Sequence, residues 1–166
     1  MEIKAVHKTD PESASSIMRG GFDLGKFGSA TAKTGQANNF GRHALGIYLT
    51  EDEGHFRPED HVSHPWDHRK RGALIFCTVI LKNPLLVDMK MDGKFYQEWI
   101  SDNYGGLSGK RLTNALIRDG HDGIYCRDSG EIVAFSPNQI KIDTEKSRAS
   151  IATNFKEWIF DIDLDN

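Results

Sequence analysis

A chain of 166 residues with 27% charged and 38% hydrophobic side chains, 16 glycines and a formal net charge of -3 is long enough for one domain that buries about two-thirds of the surface its unfolded form would expose. This composition excludes disordered and fibrous classes. The slight acidity gives no general pull toward nucleic acid, although a local basic face can exist beneath that sum. Cys77 and Cys126 each sit inside an apolar run and read as buried reduced thiols, which fits a reducing compartment. No apolar run approaches the roughly 20 residues of a membrane span, and Met1 to Val6 lacks the apolar core of a signal peptide. The expected setting is therefore cytoplasmic, or the cytosol of a target cell to which the protein is delivered, with no membrane partner.

In chain order, Ile3-Lys4-Ala5-Val6-His7 alternates weakly and predicts a first strand that ends at His7-Lys8-Thr9. A helix follows. Thr9 or Asp10 can cap it, Pro11 suits its first turn, Thr9 and Glu12 have capping-box spacing, and Gly20-Gly21 ends it. Ala14, Ile17 and Met18 give it one apolar face. From Gly25 to Ala44 the chain turns to Gly, Ser, Thr, Asn and basic residues, with Phe27 and Phe40 as its only large apolar side chains. Loops of this length are uncommon in compact domains unless they bind something, so the stretch is a ligand loop with Arg42 as an anion contact, or else a disordered flap.

Gly46-Ile47-Tyr48-Leu49 predicts a short strand, and Thr50 with Glu53 has capping-box spacing for a following helical turn that carries Phe56. His61, His64 and His68 come next, but Pro65 interrupts any helix that would align them and no carboxylate or thiolate completes a metal-binding spacing. No metal is expected, and the segment reads as a surface insertion. Ala73 to Leu81 is nearly continuous in apolar residues and predicts the central strand, with Pro84-Leu85-Leu86-Val87 as a short neighbour. Phe95, Trp99 and Ile100 mark one helix face; Leu112, Ala115 and Leu116 mark another, on a helix from about Ser108 to Gly120.

Two strands then flank a polar turn: Gly123-Ile124-Tyr125-Cys126, the turn Arg127-Asp128-Ser129, and Gly130-Glu131-Ile132-Val133-Ala134-Phe135. Glu131, a carboxylate on a rigid strand beside a turn, is either a solvated charge or a group that faces a ligand. Pro137-Asn138-Gln139 turns into a last strand, Ile140-Lys141-Ile142. The expected domain spans residues 1–143. Residues 144–166 form a tail whose Phe155, Trp158, Ile159 and Phe160 dock on the body or on a partner, while Asp161, Asp163 and Asp165 stay in water.

Three features occur in order: a strand ending His7-Lys8-Thr9, a strand Gly46-Ile47-Tyr48, and a strand opening at Glu131. With the helix end Gly20-Gly21-Phe22 and the closing run from Glu131 to Ile140, this His, Tyr, Glu order resembles the ADP-ribosyltransferase superfamily. It is closer to the branch of diphtheria-type toxins and poly(ADP-ribose) polymerases than to the arginine-modifying branch. The resemblance covers roughly residues 3 to 142.

The resemblance implies an α+β fold with two small, mainly antiparallel sheets around an NAD cleft and flanking helices. It implies a mono-ADP-ribosyltransferase that uses NAD as co-substrate, releases nicotinamide and modifies a macromolecular acceptor, protein or nucleic acid. Such a chain would be a toxin or effector, with an antitoxin or immunity protein as a further partner. Carried over residue by residue, His7 would hydrogen-bond the nicotinamide-side ribose, the backbone at Lys8 would hold the carboxamide, and Thr9 would support that turn. Tyr48 would stack on the cationic nicotinamide ring with Phe56 on its other side, and Arg42 and Thr50 would complete the NAD contacts. Glu131 would bond the ribose 2′-hydroxyl and stabilise positive charge that grows on the ribose as nicotinamide leaves.

The chain departs from the family pattern at three places. Lys8 stands where a glycine is usual, Phe56 lies closer to Tyr48 than the second aromatic commonly does, and Ser129 replaces the Glu or Gln that many arginine- and asparagine-modifying members carry. The last departure points away from arginine as acceptor. An NAD glycohydrolase and a non-catalytic NAD or ADP-ribose binding module are the alternatives. A nuclease of the Gly-Ile-Tyr kind lacks the second half of its motif here, and the two arginines and second histidine of a tRNA 2′-phosphotransferase find no match.

Overall fold

The computed structural model describes residues 1–23, 25, 44–52 and 73–151. The alternating run at the start forms β1 (Glu2–Thr9), which ends in the expected His7-Lys8-Thr9. Helix α1 (Pro11–Gly20) follows, capped by Asp10: its carboxylate accepts from Ser13 N–H at 2.8 Å and from the Ser13 hydroxyl at 2.7 Å. Asp10 takes the cap in place of Thr9, and such a cap stabilises a helix by about 1 kcal/mol. Gly21, at φ 78°, ends α1 in a conformation that suits glycine.

After this come β2 (Ile47–Glu51), β3 (Ala73–Ile80), β4 (Leu85–Val87), the ribbon of β5 (Lys90–Met91) with β6 (Lys94–Phe95), and then α2 (Tyr96–Asn103). Helix α3 (Gly109–Arg118), β7 (Gly123–Cys126), β8 (Glu131–Ala134), a 3-10 turn (Pro137–Gln139) and β9 (Ile140–Ile142) complete the order, and residues 144–151 are helical. In α2 the buried side chains are Tyr96 and Ile100, whereas Phe95 is the cap residue and 56% exposed. The apolar stripe is thus one residue out of step with the face expected from Phe95, Trp99 and Ile100.

The architecture is α+β. Seven strands form one mixed sheet in the order β4-β7-β8-β2-β1-β3-β9, with only β4 and β7 parallel. This corrects the expectation of two separate small sheets, because β1 and β2 pair directly at Ala5 with Glu51 and at Val6 with Thr50. It also moves β3 from the centre to next-to-edge. β3 still reads as continuously apolar because β1 and β9 flank it and helices lie over it.

Each face of the sheet carries its own core. On one face Ala14, Ile17 and Met18 of α1 pack with Ile47, Leu49, Ile75, Val79 and Ile132. On the other, Tyr96, Ile100, Leu112 and Leu116 of α2 and α3 pack with Val133, Phe135 and Ile124. Burial of this many aliphatic side chains, each worth about 1.5–3 kcal/mol, is what the alternating patterns achieve. The 144–151 helix joins the first core through Ile151, and Ser147 Oγ accepts from Phe76 N–H at 2.9 Å. Residues 152–166, with the aromatic cluster, lie outside the described residues.

Candidate functional site

The sheet has a weak seam, and the site is built on it. β1 pairs with β3 across eight rows, and β2 pairs with β8 across four, yet β1 and β2 share only two. The backbone at Lys4 faces β2, since its carbonyl accepts from Asp52 N–H at 2.9 Å. Strand alternation turns Val6 and Lys8 the same way. Val6 makes the last rung with Thr50; the next rung would join Lys8 to Tyr48.

At that position the His7 side chain bonds to the β2 backbone. His7 Nδ1 lies 2.8 Å from the carbonyl oxygen of Tyr48. A carbonyl only accepts, so Nδ1 carries the hydrogen and, in the neutral ring, Nε2 keeps its lone pair. Burial holds the His7 pKa below the ordinary 6.5, outweighing the bond to Tyr48 that would raise it. The ring edge meets Phe22 at 5.1 Å between centroids and 84° between planes. Lys8 and Thr9 continue along β3, opposite Leu74 and Ala73.

Glu131 faces Thr50 across β8 and β2, and Thr50 faces Val6 across β2 and β1. Side chains in one cross-strand row share a face, so Glu131 and Thr50 lie together, with Tyr48 two residues along on the same side. His7, adjacent to Val6, sits on the α1 face and reaches the others only through the seam. Tyr48 O–H donates to the Ala44 carbonyl at 2.7 Å, and its ring packs against the α2–α3 core beside Tyr96 and Leu112. Burial, and then the nearby Glu131 charge, push its pKa far above 10, so it remains a phenol. The stacking role expected for Tyr48 would therefore use only the part of a half-buried ring that the core leaves uncovered.

Among the described residues, Glu131 Oε1 is buried and has no hydrogen-bond partner. Burial alone raises the Glu131 pKa. An orphaned buried acceptor costs about 1–3 kcal/mol, and more when charged, so an unsatisfied carboxylate oxygen is a group that a ligand donor would complete. This is the observation that tests the fit of NAD: a ribose hydroxyl is a donor of the kind that this oxygen lacks.

The turn before Glu131 is held firmly. Gly130 adopts φ 69°, a conformation suited to glycine, and its N–H reaches the Cys126 carbonyl at 2.9 Å. Ser129 Oγ accepts from Glu131 N–H at 3.3 Å. The Arg127 guanidinium grips Asp88 with two bonds of 3.0 and 2.9 Å, and Asp128 Oδ1 accepts from Met89 N–H at 2.6 Å. Sequence reading singled out this turn without its anchors, because Asp88 and Met89 lie about forty positions earlier. It also missed the bond from Tyr125 O–H to Glu51 at 2.8 Å.

Arg42, Phe56 and the three histidines of the insertion, His61, His64 and His68, lie outside the described residues. Among the described residues no group of His, Cys, Asp and Glu could hold a metal ion, and no helix is long and apolar enough to cross a membrane. Comparison of the chain with protein-family models, with curated proteins and with solved structures finds no match.

Proposed function

We propose that the chain is an NAD-dependent mono-ADP-ribosyltransferase whose site is the seam between β1 and β2. The observation that carries this reading is the buried, unpartnered Glu131 oxygen, on a strand row that runs through Thr50 to Val6, the neighbour of His7. His7 Nε2 would accept from a ribose hydroxyl, Lys8 would offer its backbone to the carboxamide, and Thr50 and Tyr48 would line the pocket on the Glu131 side. NAD supplies the ADP-ribosyl group: the bond from ribose C1′ to nicotinamide nitrogen breaks with its electron pair leaving on nicotinamide, a bond from C1′ to an acceptor oxygen or nitrogen forms, and the acceptor proton is lost.

The task of Glu131 is electrostatic. A fixed carboxylate aimed at positive charge developing on the ribose needs little reorganisation, and one such contact is typically worth on the order of 3 kcal/mol, about a hundredfold in rate. The same carboxylate would also orient the acceptor or take its proton. Its raised pKa moves it toward the range in which a base is effective at neutral pH.

The reading is tested with purified protein, NAD labelled in its adenylate half and a cell lysate. The expected result is label in a macromolecular fraction together with free nicotinamide. Nicotinamide release without macromolecular label would make water the acceptor, and absence of both would overturn the proposal.

A further inference from the structure

Helix α3 carries its basic residues on one side. Lys110, Arg111, Asn114, Ile117 and Arg118 are exposed, whereas Leu112, Thr113, Ala115 and Leu116 are buried. The helix has no Asp or Glu, unlike α1, α2 and the 144–151 helix. Three other cations among the described residues are paired in place: Lys94 with Asp102, Arg127 with Asp88, and Lys146 with Asp52. The structure gives none of the three α3 cations such a partner. Two of them occupy the first turn, where the helix dipole disfavours positive charge, so their position does not serve the stability of the helix.

Helix α3 is also fastened to the site. Gly109 bridges to Ala44, Thr113 Oγ1 donates to the Leu45 carbonyl at 2.8 Å, and Tyr48 O–H is bound to Ala44. Ala44 and Tyr48 are four residues apart, at most about 13 Å of extended chain. The basic face therefore begins beside the open end of the seam.

We propose that the exposed face of α3 docks the phosphate backbone of a nucleic acid and presents it to the seam as the acceptor. This rests on the transferase reading above and names its acceptor class. Charge complementarity selects the occupant: three unneutralised cations on one ridge, within a chain whose net charge is -3, attract a polyanion locally and not through the molecule as a whole. Asn114 and the 49% exposed Ile117 lie between them and can meet sugar and base edges.

The test uses a fluorescent 20-nucleotide RNA and a DNA strand of the same sequence, with anisotropy followed from low to physiological salt and no NAD present. For three phosphate contacts the logarithm of affinity should fall with the logarithm of salt at a slope of about -2. Lys110→Gln, Arg111→Gln and Arg118→Gln combined should reduce that slope to near zero. The charge-keeping set Lys110→Arg, Arg111→Lys and Arg118→Lys should retain it, which separates lost charge from lost fold. Absence of binding, an unchanged slope in the glutamine variant, or equal competition by polyglutamate of matched charge would overturn the proposal. Nicotinamide release from NAD, followed in parallel, keeps the two readings apart. Release without nucleic-acid binding fails the docking surface alone, and binding without release fails the transferase reading while the surface stands.

Discussion

Burial favours the uncharged form of both Glu131 and His7, and each has a consequence for stability against pH. A carboxylate with a raised folded pKa is a liability at neutral pH: its favourable contribution is complete below the unfolded pKa and is lost as pH rises through the folded value. Glu131→Gln is therefore expected to melt at the same temperature as the wild type or higher at pH 7. A drop in melting temperature would mean that the carboxylate serves the fold. For His7 the sign is opposite. Its folded pKa lies below 6.5, so folded and unfolded chains are both neutral above that pH; below it the unfolded chain binds the proton first, and stability falls until the folded pKa is passed. In a Glu131→Gln background, acid-side loss of melting temperature should begin near pH 6.5 and shrink when His7→Gln is added. Equal pH profiles with and without His7 would contradict the buried, neutral imidazole.

At the scale of elements, close approach of β2 to β8 and rigidity of the 127–130 turn place Glu131. A Cβ on Gly46 would lie 2.6 Å from Val133 Cγ1 and 2.8 Å from the Ala134 carbonyl oxygen, both nearer than real contacts allow. Gly46→Ala should cost about 1–3 kcal/mol, read as a lower urea midpoint, and a midpoint equal to the wild type would show that β2 can shift. Asp128→Ala removes the anchor to Met89 N–H. It should lower the turnover of nicotinamide release about tenfold through misplacement of Glu131, with KM for NAD unmoved; a change in KM alone would place Asp128 in substrate binding. These elements were largely legible from residues. The alternation of β1, the continuous apolar run of β3, the stripe on α3, Gly20-Gly21 and Pro137 each announced an element or its end. What escaped was set by long-range pairing: the α2 stripe shifted to Tyr96 and Ile100 because Phe95 belongs to β6, whereas Asp10 was one of the two caps expected and β1 decides between them by running on to Thr9.

At the scale of the whole molecule, a single sheet has its shortest inner pairing where β1 and β2 share two rungs, and the proposed site lies there. The order His7, Tyr48, Glu131 was readable along the chain, but the seam was not, since it depends on where one ladder stops. Nor could sequence show that His7 approaches from the α1 face while Tyr48 and Glu131 lie on the other, for that follows from register. In the backbone, β1 and β2 share two rows, the Asp52–Lys4 bond and one imidazole bond, against eight rows between β1 and β3, so the β1–β2 ladder should open more readily than the β1–β3 ladder. Hydrogen exchange should be faster at Thr50 than at Val79, and the reverse order would make the β1–β2 junction the stronger of the two.

The central claim is that the unpartnered Glu131 carboxylate acts on NAD, and nicotinamide release by wild-type and Glu131→Gln protein, matched for folded fraction by circular dichroism, tests it most directly. The expected result is measurable release by the wild type, reduced about a hundredfold or more in the variant while its melting temperature is held or raised. Equal release by the two proteins would contradict the account.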